Sequence, residues 1–106
     1  MKTKVYNKLV RDFIPKIIKT DGNTCVTEIL SDSQYLEMLD TKLNEELAEY
    51  QENKSLEELA DLLEVVRAVV NARGWTWEQL EQMRQEKAAK RGGFEKKILL
   101  KEVIEN

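Results

Sequence analysis

The sequence predicts an all-α fold: a small helical bundle with antiparallel long helices, assembled as a homo-oligomer. Three observations carry this. Apolar residues recur at spacings of three and four through 33–52 and again through 55–73, the pattern of amphipathic helices. A serine or threonine with a glutamate or glutamine three residues later opens two of the helical stretches, which is the signature of a capped helix start. The second long stretch is apolar around more of its circumference than one side of a small domain can cover. A chain of 106 residues is expected to form one domain, residues 1–106.

The elements follow in order. Leu9, Val10, Phe13, Ile14, Ile17 and Ile18 repeat at helical spacing, but Pro15 interrupts them. Proline is tolerated only in a first helical turn and disfavours α conformation in the residue before it. The spacing therefore predicts a short helix over 15–19. Asp21-Gly22 is a turn signal. Residues 24–30, TCVTEIL, are rich in β-branched side chains and predict a short extended segment. Val5–Tyr6 is the candidate partner for a strand there.

The first long helix is predicted over 33–52, with Asp32 or Ser31 as its N-cap. Leu36, Leu39, Leu43, Leu47 and Tyr50 form its apolar stripe, with Glu46 at the edge and Glu49 one step further round. Ser55 opens the second, and Ser55-Leu56-Glu57-Glu58 matches a capping box with Glu58 at N3. That helix runs to about residue 73, with Gly74 at C′. Its apolar set is Leu56, Leu59, Leu62, Leu63, Val65, Val66, Val69 and Val70. Val65 falls on the wheel between Glu58 and Asp61, so the acidic face is not a plain solvated one. The simplest second packing surface is a subunit interface.

Thr76 caps a third long helix through the box Thr76-Trp77-Glu78-Gln79, with Trp75 and Leu80 placed as a hydrophobic staple. It runs to about residue 90 and ends at Gly92-Gly93. The tail 94–106, FEKKILLKEVIEN, is compatible with helix or with extended chain.

Composition bounds the chemistry. The chain is 42% hydrophobic and 35% charged, with net charge −3 from 17 basic and 20 acidic residues. That is not the basic footprint of a nucleic-acid binder. No apolar run approaches the roughly 20 residues that span a bilayer. Lys2 and Lys4 are followed by no apolar h-region, so no signal peptide is legible. The lone Cys25 cannot close an intramolecular disulfide, and a reducing, cytoplasmic setting is expected. There is no histidine, which removes histidine triads and histidine-held zinc. A metal must then be held mainly by oxygen, which favours Mg²⁺ or Mn²⁺.

The candidate ligands are Glu46 and Glu49 on the first long helix, Glu58 and Asp61 on the second. Residues three apart share a helix face, and a short connection makes the helices antiparallel neighbours. One acidic pair at this spacing usually marks a solvated face. Two pairs on consecutive helices, each beside apolar residues, repel one another and are costly to desolvate unless a cation neutralises them. Glu58 has a competing use, since a capping box would occupy its side chain at the helix start. Glu45, Glu52, Glu57 and Glu64 read as solvated. Arg84, Lys87 and Lys90 share a face and Arg91 follows. Cations in a last turn are favourable against the helix dipole in any case. They also complement a carboxylate-held ion that bridges phosphates. Lys8 and Arg11 are further candidates for the same phosphates, whereas Lys96 and Lys97 read as surface.

The ordered set of ExxE (Glu46, Glu49), ExxD (Glu58, Asp61) twelve residues on, and KxxKRGGF (Lys87 to Phe94) resembles the all-α nucleoside triphosphate pyrophosphohydrolases. These include the MazG-like and phosphoribosyl-ATP pyrophosphohydrolase-like proteins. The opening YNKLVRDFIP, Tyr6 to Pro15, is similar to the start of one subgroup with the latter label. The resemblance implies a dimer or dimer of dimers. It also implies Mg²⁺ held at Glu46, Glu49, Glu58 and Asp61, with Lys87, Lys90 and Arg91 near the phosphates. The implied reaction is hydrolysis of a nucleoside triphosphate between its α- and β-phosphates, giving a monophosphate and pyrophosphate. Glu49 is the candidate for orienting or deprotonating the attacking water. Two alternatives stand beside this: phosphoribosyl-ATP as the substrate, and a non-catalytic helical dimer acting as a binding module.

Overall fold

The computed structural model describes residues 2–106, and these are all-helical: α1 (Ile14–Thr20), α2 (Asp32–Asn53), α3 (Leu56–Ala72) and α4 (Trp77–Arg91), with no strand among them. Each helix start has a local cause. Pro15 lies in the first turn of α1, where its missing N–H is not needed. Ser31, rather than Asp32, caps α2. Its hydroxyl accepts from the Gln34 N–H at 3.3 Å, and the Gln34 side chain accepts from the Ser31 N–H at 3.1 Å. Thr76 and Gln79 make the same reciprocal pair at the start of α4, at 3.1 and 2.8 Å. Thr76→Ala removes the side-chain half of that pair and should cost about 1 kcal/mol, read as a lower urea midpoint with α4 fraying first in hydrogen exchange.

The extended segment predicted at 24–30 finds no partner strand in Val5–Tyr6. Residues 22–31 form neither helix nor strand, and Val26 stands 99% exposed. β-Branched composition favours a pleated surface only where a neighbour supplies the other half of the ladder.

α2 and α3 are joined by Lys54 and Ser55 alone. Lys54 takes a left-handed conformation, φ 54°, and its N–H closes on the Tyr50 carbonyl at 2.7 Å. This ends α2 and turns the chain back at once. Two contacts fix the antiparallel pairing. Asn53 meets Glu58 beside the turn, and Arg73 at the end of α3 meets Asp40 early in α2 at 3.0 Å. α4 touches α3, where the Arg67 guanidinium lies over the Trp77 ring, but it does not touch α2.

The core is correspondingly small. Leu39 and Val70 are the buried apolar residues among those described, at 2% and 5% exposure. The chain extends 69 × 31 × 23 Å with a radius of gyration of 19.0 Å, against about 13 Å for a compact chain of 100 residues. The single chain is thus a helical hairpin with elements projecting from it. That hairpin, with the N-terminal segment laid against it, positions the site.

A carboxylate cluster between two helices

The apolar stripe of α2 faces α3, and Glu46 sits on its edge. Packing the two helices therefore carries Glu46 inward, to 7% exposure. Its neighbours form two groups that share it. Oxygens of Glu45, Glu46 and Glu49 lie within 4.8 Å of one another, and so do those of Glu46, Glu58 and Asp61. All four carboxylates proposed as ligands from the sequence are brought together, from both helices.

Glu45 was expected to be solvated, and the structure corrects this. It is half-buried and joins the cluster because cations approach it from two sides. Lys42 reaches it at 3.1 Å and Lys8 at 3.3 Å. The competing use of Glu58 also fails. Ser55 accepts from the Glu58 N–H at 3.2 Å, but the Glu58 carboxylate does not return to the cap. Its Oε1 accepts from the Asn53 amide at 3.1 Å, and its Oε2 is buried without a partner. Asn53, at the end of α2, thereby frees Glu58 from the capping box and leaves it in the cluster.

Three cations stand against the acids. Lys42 bridges Glu45 and Glu46, reaching the latter at 3.3 Å. Arg11 pairs with Asp61 at 2.8 Å, and Lys8 with Glu45. Lys8 and Arg11, sequence candidates for phosphates, thus contact carboxylates in this structure. Lys42 was not singled out from the sequence, although its spacing of three and four before Glu45 and Glu46 is the ordinary ion-pair signal on a helix. Five carboxylates against these three cations leave two formal negative charges. Among the described residues, two oxygens are buried with no hydrogen-bond partner: Glu46 Oε2, whose carboxylate has Lys42 at its other oxygen, and Glu58 Oε2, whose carboxylate has no cation. An unpartnered carboxylate oxygen out of water is unfavourable by several kcal/mol unless a cation reaches it.

The protonation of the cluster shows the same crowding. The contact with the Glu46 carboxyl, then the charges of Glu46 and more weakly Glu58 and Glu45, hold the Glu49 carboxyl above its ordinary range. Burial acts to raise Glu45, but Lys42 and then Lys8 outweigh it and hold that carboxyl low. Burial likewise acts to lower Lys42, and Glu45 and Glu46 outweigh it, so the ammonium is held charged. Of the cluster's carboxyls, Glu49 is the one whose proton affinity its neighbours raise, and a cation among them opposes that. A divalent ion binding here should release a proton and bind more weakly as pH falls through the raised Glu49 pKa, above the usual carboxylate value of about 4.3. Calorimetric titration with Mn²⁺ in two buffers of different ionisation enthalpy reads that proton directly.

Lys87, Lys90 and Arg91 lie elsewhere in the single chain. They line an open depression on α4 together with Met83 and Glu86. Among the described residues, no ion pair or hydrogen bond links them to the cluster.

No family model and no solved structure matches the chain. A curated uncharacterized protein of Mycolicibacterium smegmatis is 52% identical over 42 residues, which cover 40% of this chain and 43% of that protein. The chain thus spans less than half the length of the relative it matches.

Proposed function

We propose that this chain is a nucleoside triphosphate pyrophosphohydrolase that uses Mg²⁺, with Mn²⁺ as a substitute, and works as a homodimer or dimer of dimers. The observation that supports it most is the buried, unpartnered oxygen of Glu46 at the junction of two carboxylate groups. The donor set is all oxygen, which suits a hard divalent ion. Glu46, Glu58 and Asp61 would hold it, with Glu49 beside them. When bound, such an ion polarises phosphoryl oxygens and acidifies water.

The residues of the chain would do the rest. Glu49, its affinity for a proton raised by its neighbours, orients the attacking water and takes its proton. Arg11 and Lys8, beside Asp61 and Glu45 in this structure, would be placed to contact the phosphates. Lys87, Lys90 and Arg91 stabilise the departing pyrophosphate. In a homo-oligomer that basic segment would serve the cluster of a second copy.

The test is incubation with canonical and modified nucleoside triphosphates and with phosphoribosyl-ATP, each with Mg²⁺. The expected products are the monophosphate and pyrophosphate. Orthophosphate as the first product contradicts the bond assigned, and turnover of phosphoribosyl-ATP alone transfers the activity to that substrate. The ion pairs of Lys8, Arg11 and Lys42 also favour a second reading, a cluster neutralised internally within a helical binding module. In that case Mg²⁺ and Mn²⁺ give no rise in thermal stability, whereas a resident site at 100 times its Kd adds about 2.7 kcal/mol.

A further inference from the structure

We propose that residues 94–106 are an exchanged arm, lying along the α3 face of a second copy of this chain. The inference rests on the homo-oligomer part of the function proposed above and not on hydrolysis.

The arm has nothing to do on its own chain. Phe94 is 97% exposed, and Ile98, Leu99, Leu100, Val103 and Ile104 are each 72–80% exposed. The segment is neither helix nor strand. Its backbone makes one turn on itself, Lys97 N–H to the Phe94 carbonyl at 3.2 Å. Among the described residues, no hydrogen bond or ion pair ties it back to a helix. Six large apolar side chains held in water in 13 residues are a surface that requires a cover.

α3 offers the complementary surface. Leu56, Leu59 and Leu63 are exposed at spacings of three and four, an apolar stripe over the first half of α3, whereas Val70 further along the same side is buried. Thirteen residues in extended form reach about 43 Å. The span from Leu56 to Leu63 on a helix is about 11 Å, so the arm is long enough to cover this stripe.

The amount of surface selects a second copy as the occupant. The chain exposes 10236 Å², while a compact protein of its 12.4 kDa exposes about 6,100 Å². The excess, about 4,000 Å² for each chain, would give a pair of chains more buried area than the roughly 2,000–5,000 Å² of ordinary obligate interfaces. Exchanged arms bury the exposed apolar side chains of 94–106 as part of that area. A chain with two buried apolar residues also needs its cover at the time of folding. A transient partner does not supply that, and another copy does.

The test uses the full-length chain with p-benzoylphenylalanine in place of Leu99, and a second variant with it in place of Ile104. Unlabelled and ¹⁵N-labelled chains are mixed, native masses are recorded, and the mixture is irradiated. The expected result is a multiple-copy mass and cross-links joining the tail of one isotope to the 56–72 peptide of the other. A multiple-copy mass with tail cross-links only within one chain, or to another surface of the second copy, overturns the arm and leaves the oligomer standing. A monomer mass overturns both. Covalent adducts with a co-purified protein in place of the second copy also overturn the proposal.

Discussion

Glu46→Gln should abolish the stabilisation by divalent ions and lower hydrolysis by about 100-fold or more, the equivalent of about 2.7 kcal/mol, while leaving the metal-free protein as stable as before. The asymmetry is the informative part. Glu46 is the residue common to both carboxylate groups, and one of its buried oxygens has no partner. The amide keeps the shape and an oxygen that accepts from Lys42, but it has no charge to offer an ion. It also ends the repulsion that crowds Glu49, so the metal-free midpoint should stay level or rise. Thermal unfolding with and without Mn²⁺ separates the two effects. A variant that loses stability equally in both conditions would show Glu46 to be a packing residue instead.

Lys42→Met should act in the opposite sense on the two quantities. Lys42 is half-buried and bridges Glu45 and Glu46. Removing one partner of a buried ion pair leaves the other charge uncompensated, at a cost of about 3–5 kcal/mol. Residual exposure of the pair brings the expected loss to about 2 kcal/mol here. The same deletion leaves the cluster one charge more negative, and Mn²⁺ should then bind about tenfold more tightly, a gain of about 1.4 kcal/mol. The measurement is paired: the urea midpoint without metal, and the calorimetric affinity for Mn²⁺. Lower stability with tighter binding supports a cluster poised between its own cations and an added ion. Lower stability with unchanged affinity places the ion elsewhere.

Much of this geometry is legible in the sequence because its causes are local. Ser55 and Thr76 mark their helices through a hydroxyl and the N–H three residues on, and no distant residue is needed to see it. The convergence of Glu46, Glu49, Glu58 and Asp61 follows from helix spacing and a two-residue link. What the sequence hides depends on segments far apart in the chain. Glu45 enters the cluster because Lys8 arrives from 37 positions away, and Arg11 reaches Asp61 across 50. Periodicity within α2 carries no trace of either approach. The missing return half of the capping box at Glu58 has a similar origin, since that pattern omits Asn53, whose amide meets the carboxylate from the preceding helix. Lys87, Lys90 and Arg91 illustrate a further limit. Their charge is plain in the sequence, but the surface they face is decided by where α4 points, and in one chain it points away from α2.

The most direct measurement is anomalous diffraction from crystals grown with Mn²⁺. The expected result is a peak between the two helices, about 2.1 Å from carboxylate oxygens of Glu46, Glu58 and Asp61, with Arg11 and Lys42 drawn back from them. Crystals without a peak there, in which Arg11 still holds Asp61 and Lys42 still bridges Glu45 and Glu46, would contradict a metal centre in this protein.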